Sequence, residues 1–114
     1  MGREDKVLVV ENNPAICKEM ERRFNCDCAT DGWDAIEKLE THDYAAIVID
    51  ADVPHHSGYG VLTYLREEVG GELPNVIFMT NNDRDEIRRR VGETLTVVTK
   101  ANAMDEVTRV LLLG

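Results

Sequence analysis

The sequence lacks any long hydrophobic run. Its longest apolar runs are VLVV, AAIVI and VLLL, whereas a membrane-spanning helix needs about 20 apolar residues. The chain does not open with a basic segment followed by an apolar stretch, so we predict no export signal. We therefore expect a cytoplasmic protein that does not enter a membrane.

Positive charge is also scarce. The chain contains 22 acidic and 13 basic side chains, which gives a formal net charge of -9. A negatively charged surface repels the phosphate backbone of nucleic acids. Direct nucleic-acid binding by this domain is therefore not expected.

Cysteines are few and odd in number. There are three, Cys17, Cys26 and Cys28, and an odd count without a secretory signal predicts reduced thiols in the cytoplasm. One residue separates Cys26 from Cys28, and no second pair at zinc-like spacing accompanies them. We interpret them as small, partly buried residues of a strand.

What the sequence does contain is typical of one globular domain. Of its 114 residues 43% are hydrophobic and 31% are charged, which argues against disorder. This length suffices for one hydrophobic core. We predict a single domain over residues 1–114, without a linker or an internal repeat.

Short strand-like runs alternate with helix-like segments five times. Such a (βα)5 alternation predicts an α/β fold, an open parallel sheet with helices on both of its faces. The predicted strands are KVLVV, NCDCAT, YAAIVID, NVIFMT and TLTVVT. The first helix is predicted after NNP, and the second begins at Thr30 or Asp31. The third and fourth cover SGYGVLTYLREEV and DRDEIRRRV, and the last follows a capping Asn102.

Three of these helices carry apolar residues at helical spacing, which predicts the buried face of each. The predicted buried positions are Ile16, Met20 and Phe24 in the first helix, Trp33, Ile36 and Leu39 in the second, and Leu62, Leu65 and Val69 in the third.

Polar residues end four of the predicted strands. The first strand ends at Glu11 and Asn12, the third at Asp50, the fourth at Thr80 and the fifth at Lys100. Ligand sites of open parallel sheets lie outside the carboxyl ends of the strands. The sequence thus predicts two acids, a hydroxyl and an ammonium at one edge.

These positions resemble the receiver domain of two-component response regulators over nearly the whole chain. The family pattern is an acidic pair, an aspartate followed by a proline and a glycine, then Thr or Ser, then Lys. The matching residues are Glu11, Asp50, Pro54, Gly58, Thr80 and Lys100. The resemblance implies a flavodoxin-like sandwich with strand order 2-1-3-4-5.

The resemblance also implies a function. Asp50 would accept a phosphoryl group from a histidine kinase or a phosphotransfer protein, with Mg²⁺ as cofactor, in a signalling domain that does no catalysis beyond self-dephosphorylation. Lys100 and the Thr80 hydroxyl would bind phosphoryl oxygens. An effector domain or a homodimer partner would read the response.

The metal site departs from the family pattern. Position 12, where the resemblance predicts a metal-binding carboxylate, holds Asn12, whose amide oxygen carries no charge. The predicted ligands are therefore Glu11, Asn12, Asp50 and Asp52, the last through its backbone carbonyl or its side chain. Fewer carboxylates should weaken the binding of Mg²⁺.

The switch region departs as well. The aromatic residue that the family places three residues before the lysine is replaced by Val97, and the proline after the lysine by Ala101. Asn81 follows Thr80 where a smaller residue is common. These departures predict an atypical receiver.

Two alternatives remain open on the sequence. A pseudo-receiver would keep the fold and bind partners without phosphorylation. A phosphatase of the haloacid dehalogenase type would use Asp50 as nucleophile and Asp52 as general acid/base, but its second acidic pair would have to be Asp105 and Glu106, inside a predicted helix.

Overall fold

The computed structural model describes residues 6–53, 58–70, 73–81, 84–92 and 94–113. Five parallel strands form one sheet in the order β2-β1-β3-β4-β5. The strands are β1 (Val7–Val10), β2 (Cys26–Ala29), β3 (Ala46–Asp50), β4 (Val76–Thr80) and β5 (Thr96–Thr99). The predicted flavodoxin-like α/β fold and its strand order are confirmed.

A helix follows each strand. The helices are α1 (Pro14–Arg23), α2 (Gly32–Thr41), α3 (Gly58–Glu68), α4 (Arg84–Val91) and α5 (Ala103–Leu113). A single 3-10 turn, Lys100–Asn102, separates β5 from α5. Asn102, which was predicted to cap the last helix, is the final residue of this turn and directly precedes the first residue of α5. No helix among the described residues is long and apolar enough to cross a membrane.

Local sequence explains where the first two helices begin. The Asn13 side chain accepts a hydrogen bond from the Ala15 backbone N–H at 3.0 Å, and Pro14 occupies the first helical position. The Asp31 side chain accepts in the same way from the Asp34 N–H at 2.9 Å. Both are N-cap arrangements that satisfy otherwise unpaired backbone donors.

Two apolar layers enclose the sheet. One lies beneath α2, α3 and α4 and includes Ala35, Leu62 and Ile87. The other lies beneath α1 and α5 and includes Met20 and Val107. Every residue of the three central strands is buried, as expected for strands with helices on both faces. This burial fixes the strand ends in relation to one another.

Two predicted core positions are wrong. Val69 is 67% exposed and Trp33 is 63% exposed. Val69 lies just beyond the last residue of α3, so it leaves the apolar face of that helix. In α2, Ala35 is fully buried while Ile36 and Leu39 are half-buried, which turns Trp33 outward.

Candidate functional site

The carboxyl ends of four strands bring the predicted side chains to one edge of the sheet. Glu11 follows β1, Asp50 ends β3, Thr80 ends β4 and Lys100 follows β5. Glu11, Asp50 and Thr80 are buried, with exposed fractions of 1%, 3% and 0%. Polar groups are this buried only when they have partners or a function, so this edge is the candidate site.

Lys100 holds two acids at once. Its Nζ lies 2.9 Å from Oδ2 of Asp50 and 3.3 Å from Oε1 of Glu11. Burial opposes a charge on Lys100, but the hydrogen bond and the negative charge of Asp50 outweigh burial and raise the pKa of the lysine. The side chain is therefore a charged ammonium in the folded protein.

Glu11 is less well satisfied than its partner. Its Oε2 accepts from the Asn13 backbone N–H at 3.1 Å, while its buried Oε1 has the ion pair with Lys100 but accepts no hydrogen bond. Burial and the nearby Asp50 charge raise the pKa of Glu11 above its usual 4.5, against the lowering influence of Asn13 and Lys100. One cation thus faces two carboxylates.

The loop after β3 fixes the other oxygen of Asp50. Oδ1 of Asp50 accepts from the Asp52 backbone N–H at 3.0 Å, and the Ala51 N–H donates to the Met79 carbonyl at 3.0 Å. With Oδ1 and Oδ2 each engaged by a different donor, the carboxylate is oriented from two sides.

Gly58 is required by a close approach between α3 and β3. A Cβ atom built at this position would lie 2.7 Å from Cγ2 of Ile49 and 2.8 Å from the Asp50 carbonyl oxygen. Both distances are shorter than van der Waals contact, so only glycine fits without a shift of the chain. Pro54, the other residue expected in this loop, lies outside the described residues.

One contributor to the site was not predicted from the sequence. Asn13 was predicted only as the cap of the first helix, yet its backbone N–H also orients Glu11. A signal was present, because the capping residue follows the acid at a spacing of two residues. The main-chain geometry that points this N–H at the carboxylate could not be read from the sequence.

The chain matches a known family over most of its length. The sequence profile of the response regulator receiver domain matches residues 4–111. The chain belongs to the response regulator receiver domain family.

Regulatory proteins are among the curated relatives of this receiver domain. It is 29% identical over 102 residues to the regulatory protein VanRB of Enterococcus faecalis, an alignment that covers 83% of this chain and 45% of VanRB. It is 34% identical over 80 residues to the transcriptional regulatory protein DltR of Streptococcus agalactiae, covering 66% of this chain and 35% of DltR. The chain spans less than half the length of these relatives.

Solved receiver domains share the fold. The receiver domain of a sensor histidine kinase from Pseudomonas aeruginosa, with a magnesium ion coordinated in its active-site cleft, superposes with a TM-score of 0.74. The sequences are 23% identical, and the match covers 96% of this chain and 98% of the other. At this identity the likeness shows the fold, and it agrees with the strand order found here.

The predicted metal ligands are only partly brought together. Glu11 and Asp50 are buried and both contact the Lys100 ammonium, whereas the side chains of Asn12 and Asp52 are exposed. Within the described residues, no three side chains of His, Cys, Asp or Glu form a group that could hold a metal ion. The site therefore offers two buried carboxylates, with neutral oxygens as the remaining candidate ligands.

This donor set still fits Mg²⁺. That ion is commonly bound through one or two carboxylates, with water and phosphate oxygens completing an octahedron. The buried Oε1 of Glu11, which accepts no hydrogen bond, is an available oxygen, and two carboxylates against one lysine leave a net negative charge. Both features favour a cation.

Val97 occupies the position of the missing switch aromatic. It is 2% exposed and packs in the apolar layer beneath α4, and its carbonyl lies 3.5 Å from Nη2 of Arg88 on α4. A buried valine has no large ring to move between two positions. Val97, which replaces the family's aromatic residue, is thus a buried residue of the core.

Proposed function

We propose that Asp50 is the phosphoacceptor of this receiver domain. The observation that carries the proposal is the buried Asp50 carboxylate, which ends β3 and is held by Lys100 at 2.9 Å. A carboxylate in this position can act as a nucleophile, and the lysine offsets charge that arrives with a phosphoryl group.

The reaction is a transfer between two proteins. A carboxylate oxygen of Asp50 attacks phosphorus, the bond from phosphorus to a histidine nitrogen of the donor breaks, and an acyl phosphate forms. Lys100 then binds one phosphoryl oxygen. Thr80 ends the neighbouring strand β4 and is fully buried, and we assign its hydroxyl as the donor to another oxygen.

We assign Mg²⁺ as the cofactor. Glu11 and Asp50 would hold it through their carboxylates, with the Asn12 amide oxygen or the Asp52 backbone carbonyl as a neutral ligand. When bound, the ion offsets negative charge on the phosphoryl oxygens. Because Asn12 brings no charge, we expect weaker binding than at a site with a third carboxylate.

The partners follow from the chemistry of the transfer. The donor is a histidine kinase or a histidine phosphotransfer protein, and the response is read by an effector domain or by a second copy of the chain. Such an exchange takes place in the cytoplasm. We assign no catalytic turnover to the domain beyond loss of its own phosphoryl group.

Beryllofluoride, which mimics a phosphoryl group, tests the proposal. Added with Mg²⁺ to the purified protein, it should form an adduct seen as a ¹⁹F resonance and as amide shifts around Asp50. Asp50→Asn should abolish both signals, and Asp52→Asn, a matched change two residues away, should retain them.

Two results would contradict the proposal. One is an adduct that survives in Asp50→Asn, which would move the acceptor elsewhere. The other is the lack of any adduct, by beryllofluoride or by phosphorylation with acetyl phosphate at saturating Mg²⁺. That second result would favour the pseudo-receiver, which binds partners through the same fold without phosphorylation.

A further inference from the structure

All three cysteines meet on one side of the sheet. Cys26 and Cys28 alternate with Asp27 along β2, so both face the layer beneath α1. Cys17 lies on α1, which packs against β2. Each of the three is half-buried and carries a free thiol, so small reagents can reach them.

Backbone geometry places Cys17 beside the end of β2 that carries Cys28. The Glu11 N–H donates to the Ala29 carbonyl at 2.9 Å, next to Cys28 in the chain. The Cys28 side chain interacts with Cys17 across the contact between α1 and β2, and with Cys26 along β2. The Cys17 thiol also donates to the backbone carbonyl of Glu11 at 3.4 Å. Cys17 is therefore oriented toward the centre of the sheet, with Cys28 beside it.

We propose that Cys17 and Cys28 form an oxidisable dithiol, a modification site whose oxidant is a low-molecular-weight disulfide such as oxidised glutathione. One protein thiolate attacks the glutathione disulfide and expels the first glutathione thiolate. The second protein thiolate attacks the resulting mixed disulfide and expels the second. Two protein S–H bonds are lost, one S–S bond forms, and one glutathione disulfide becomes two glutathione thiols.

The pair Cys26 and Cys28 is a poorer candidate. Residues two apart on a strand are separated by roughly 6.6 Å between Cα atoms, near the upper limit for a disulfide, and their Cα–Cβ bonds point in parallel. Joining them would bend β2 and break its register with β1. Cys17 lies on a different element, so a bond to Cys28 does not require two positions of one strand to be drawn together.

Oxidation would be felt at the proposed phosphorylation site. The disulfide removes the S–H hydrogen that Cys17 donates to the Glu11 carbonyl, and this carbonyl belongs to the peptide bond between Glu11 and Asn12. The backbone amide of Asn12 is therefore a reporter of the thiol state, and its signal does not depend on phosphorylation.

Burial sets the pace of the reaction. It raises the pKa of Cys17 and Cys28, so thiolate is scarce at neutral pH and exchange is slow. The reduced full chain should therefore be incubated for hours in glutathione buffers of increasing oxidised fraction, then acid-quenched, alkylated and digested with trypsin.

The digest distinguishes the pairings. Trypsin releases Cys17 in the peptide 7–18, and both Cys26 and Cys28 in the peptide 24–38. We expect these two peptides to be joined in the wild type and in Cys26→Ser. Cys17→Ser and Cys28→Ser should yield at least about tenfold less joined peptide under the same conditions, and the oxidised wild type should show a shifted Asn12 amide resonance.

Several outcomes would overturn the proposal. They are three fully alkylated thiols at every glutathione ratio, a bond within the peptide 24–38, joined peptides that persist in Cys28→Ser, or a cross-link found only between two chains. Circular dichroism should verify that each variant is folded, and Cys28→Ala repeats the measurement with a second side chain.

Discussion

The two ends of the sheet each carry an ion-pair group, and the groups differ in how well they are satisfied. At the carboxyl end, Lys100 faces both Glu11 and Asp50. Near the amino end, Lys6 lies 3.3 Å from Asp27, whose other oxygen accepts from the Tyr44 hydroxyl at 2.8 Å. At the carboxyl end, one cation serves two carboxylates. Near the amino end, a cation and a neutral hydroxyl donor both serve a single carboxylate.

The pKa shifts express this difference. Burial and the Asp50 charge raise the pKa of Glu11. Burial would also raise the pKa of Asp27, but the hydrogen bonds from Tyr44 and Lys6 outweigh it and hold that pKa below its usual 3.8. The amino end is a balanced structural contact. The carboxyl end holds uncompensated negative charge in the folded protein, as a site for a cation requires.

The largest expected effect on stability comes from removing the ammonium of Lys100, which Glu11 and Asp50 share. Lys100→Met leaves two buried carboxylates without a positive partner and should lower the free energy of unfolding by about 3 kcal/mol, as measured by urea denaturation. The matched change at the amino end, Lys6→Met, should cost less than about 1 kcal/mol, because both side chains of that pair are about a third exposed.

A double variant sharpens this first prediction. Replacing Asp50 as well, in Lys100→Met with Asp50→Asn, should recover part of the lost stability because one of the two unpaired charges is gone. Equal losses in Lys100→Met and Lys6→Met would contradict the contrast between the two ends.

The next effect concerns the tight packing beside Asp50. Gly58→Ala should lower the free energy of unfolding by about 2 kcal/mol, because its Cβ would overlap Ile49 and the Asp50 carbonyl. Glu67→Ala, on the exposed face of the same helix, is the control and should change stability little. If urea denaturation showed Gly58→Ala to be as stable as the wild type, the close approach between α3 and β3 would be refuted.

A third effect adds charge to the unbalanced end. Asn12→Asp should tighten Mg²⁺ binding by about tenfold, since hard cations gain affinity with each carboxylate ligand. Fluorescence of Trp33 or amide shifts during a Mg²⁺ titration would measure the change. Asn25→Asp adds the same charge to an exposed position near the amino end, and it should leave the affinity unaltered. Equal effects of the two changes would indicate general electrostatics without a ligand at position 12.

The smallest effect tests the balanced end. Tyr44→Phe removes the donor to Asp27 and should cost about 1 kcal/mol at neutral pH. Because the folded pKa of Asp27 is depressed, its stabilising contribution is present above 3.8 and is lost as the pH falls through the folded value. The difference between Tyr44→Phe and the wild type should therefore shrink in strong acid. A difference in unfolding free energy that is constant with pH would show that the hydroxyl does not act through the Asp27 charge.

Most of the fold was predictable because parallel strands covered on both faces are short, continuous apolar runs. The runs at β1, β3 and β4 were each recognised within one or two residues of their bounds. The buried faces of the helices were predicted less accurately than the strands. Val69 and Trp33 fit the apolar spacing of their helices, but burial depends on where a helix ends and which neighbour covers it.

The cysteines also show that a sequence pattern does not predict contacts between elements. The alternation of Cys26 and Cys28 along a strand was legible in the sequence. Their meeting with Cys17 depends on how α1 packs onto β2, which local periodicity does not specify.

The sequence by itself determined which side chains end the strands, and with them the chemistry of the edge: Glu11, Asp50, Thr80 and Lys100. Parallel strands place their carboxyl ends together, so this set follows from the order of elements alone. Only the tertiary structure decided that Lys100 is shared between two acids and that a Cβ atom at position 58 would collide with the Asp50 carbonyl. Such contacts depend on ångström-scale packing between residues far apart in the chain, which a one-dimensional pattern does not record.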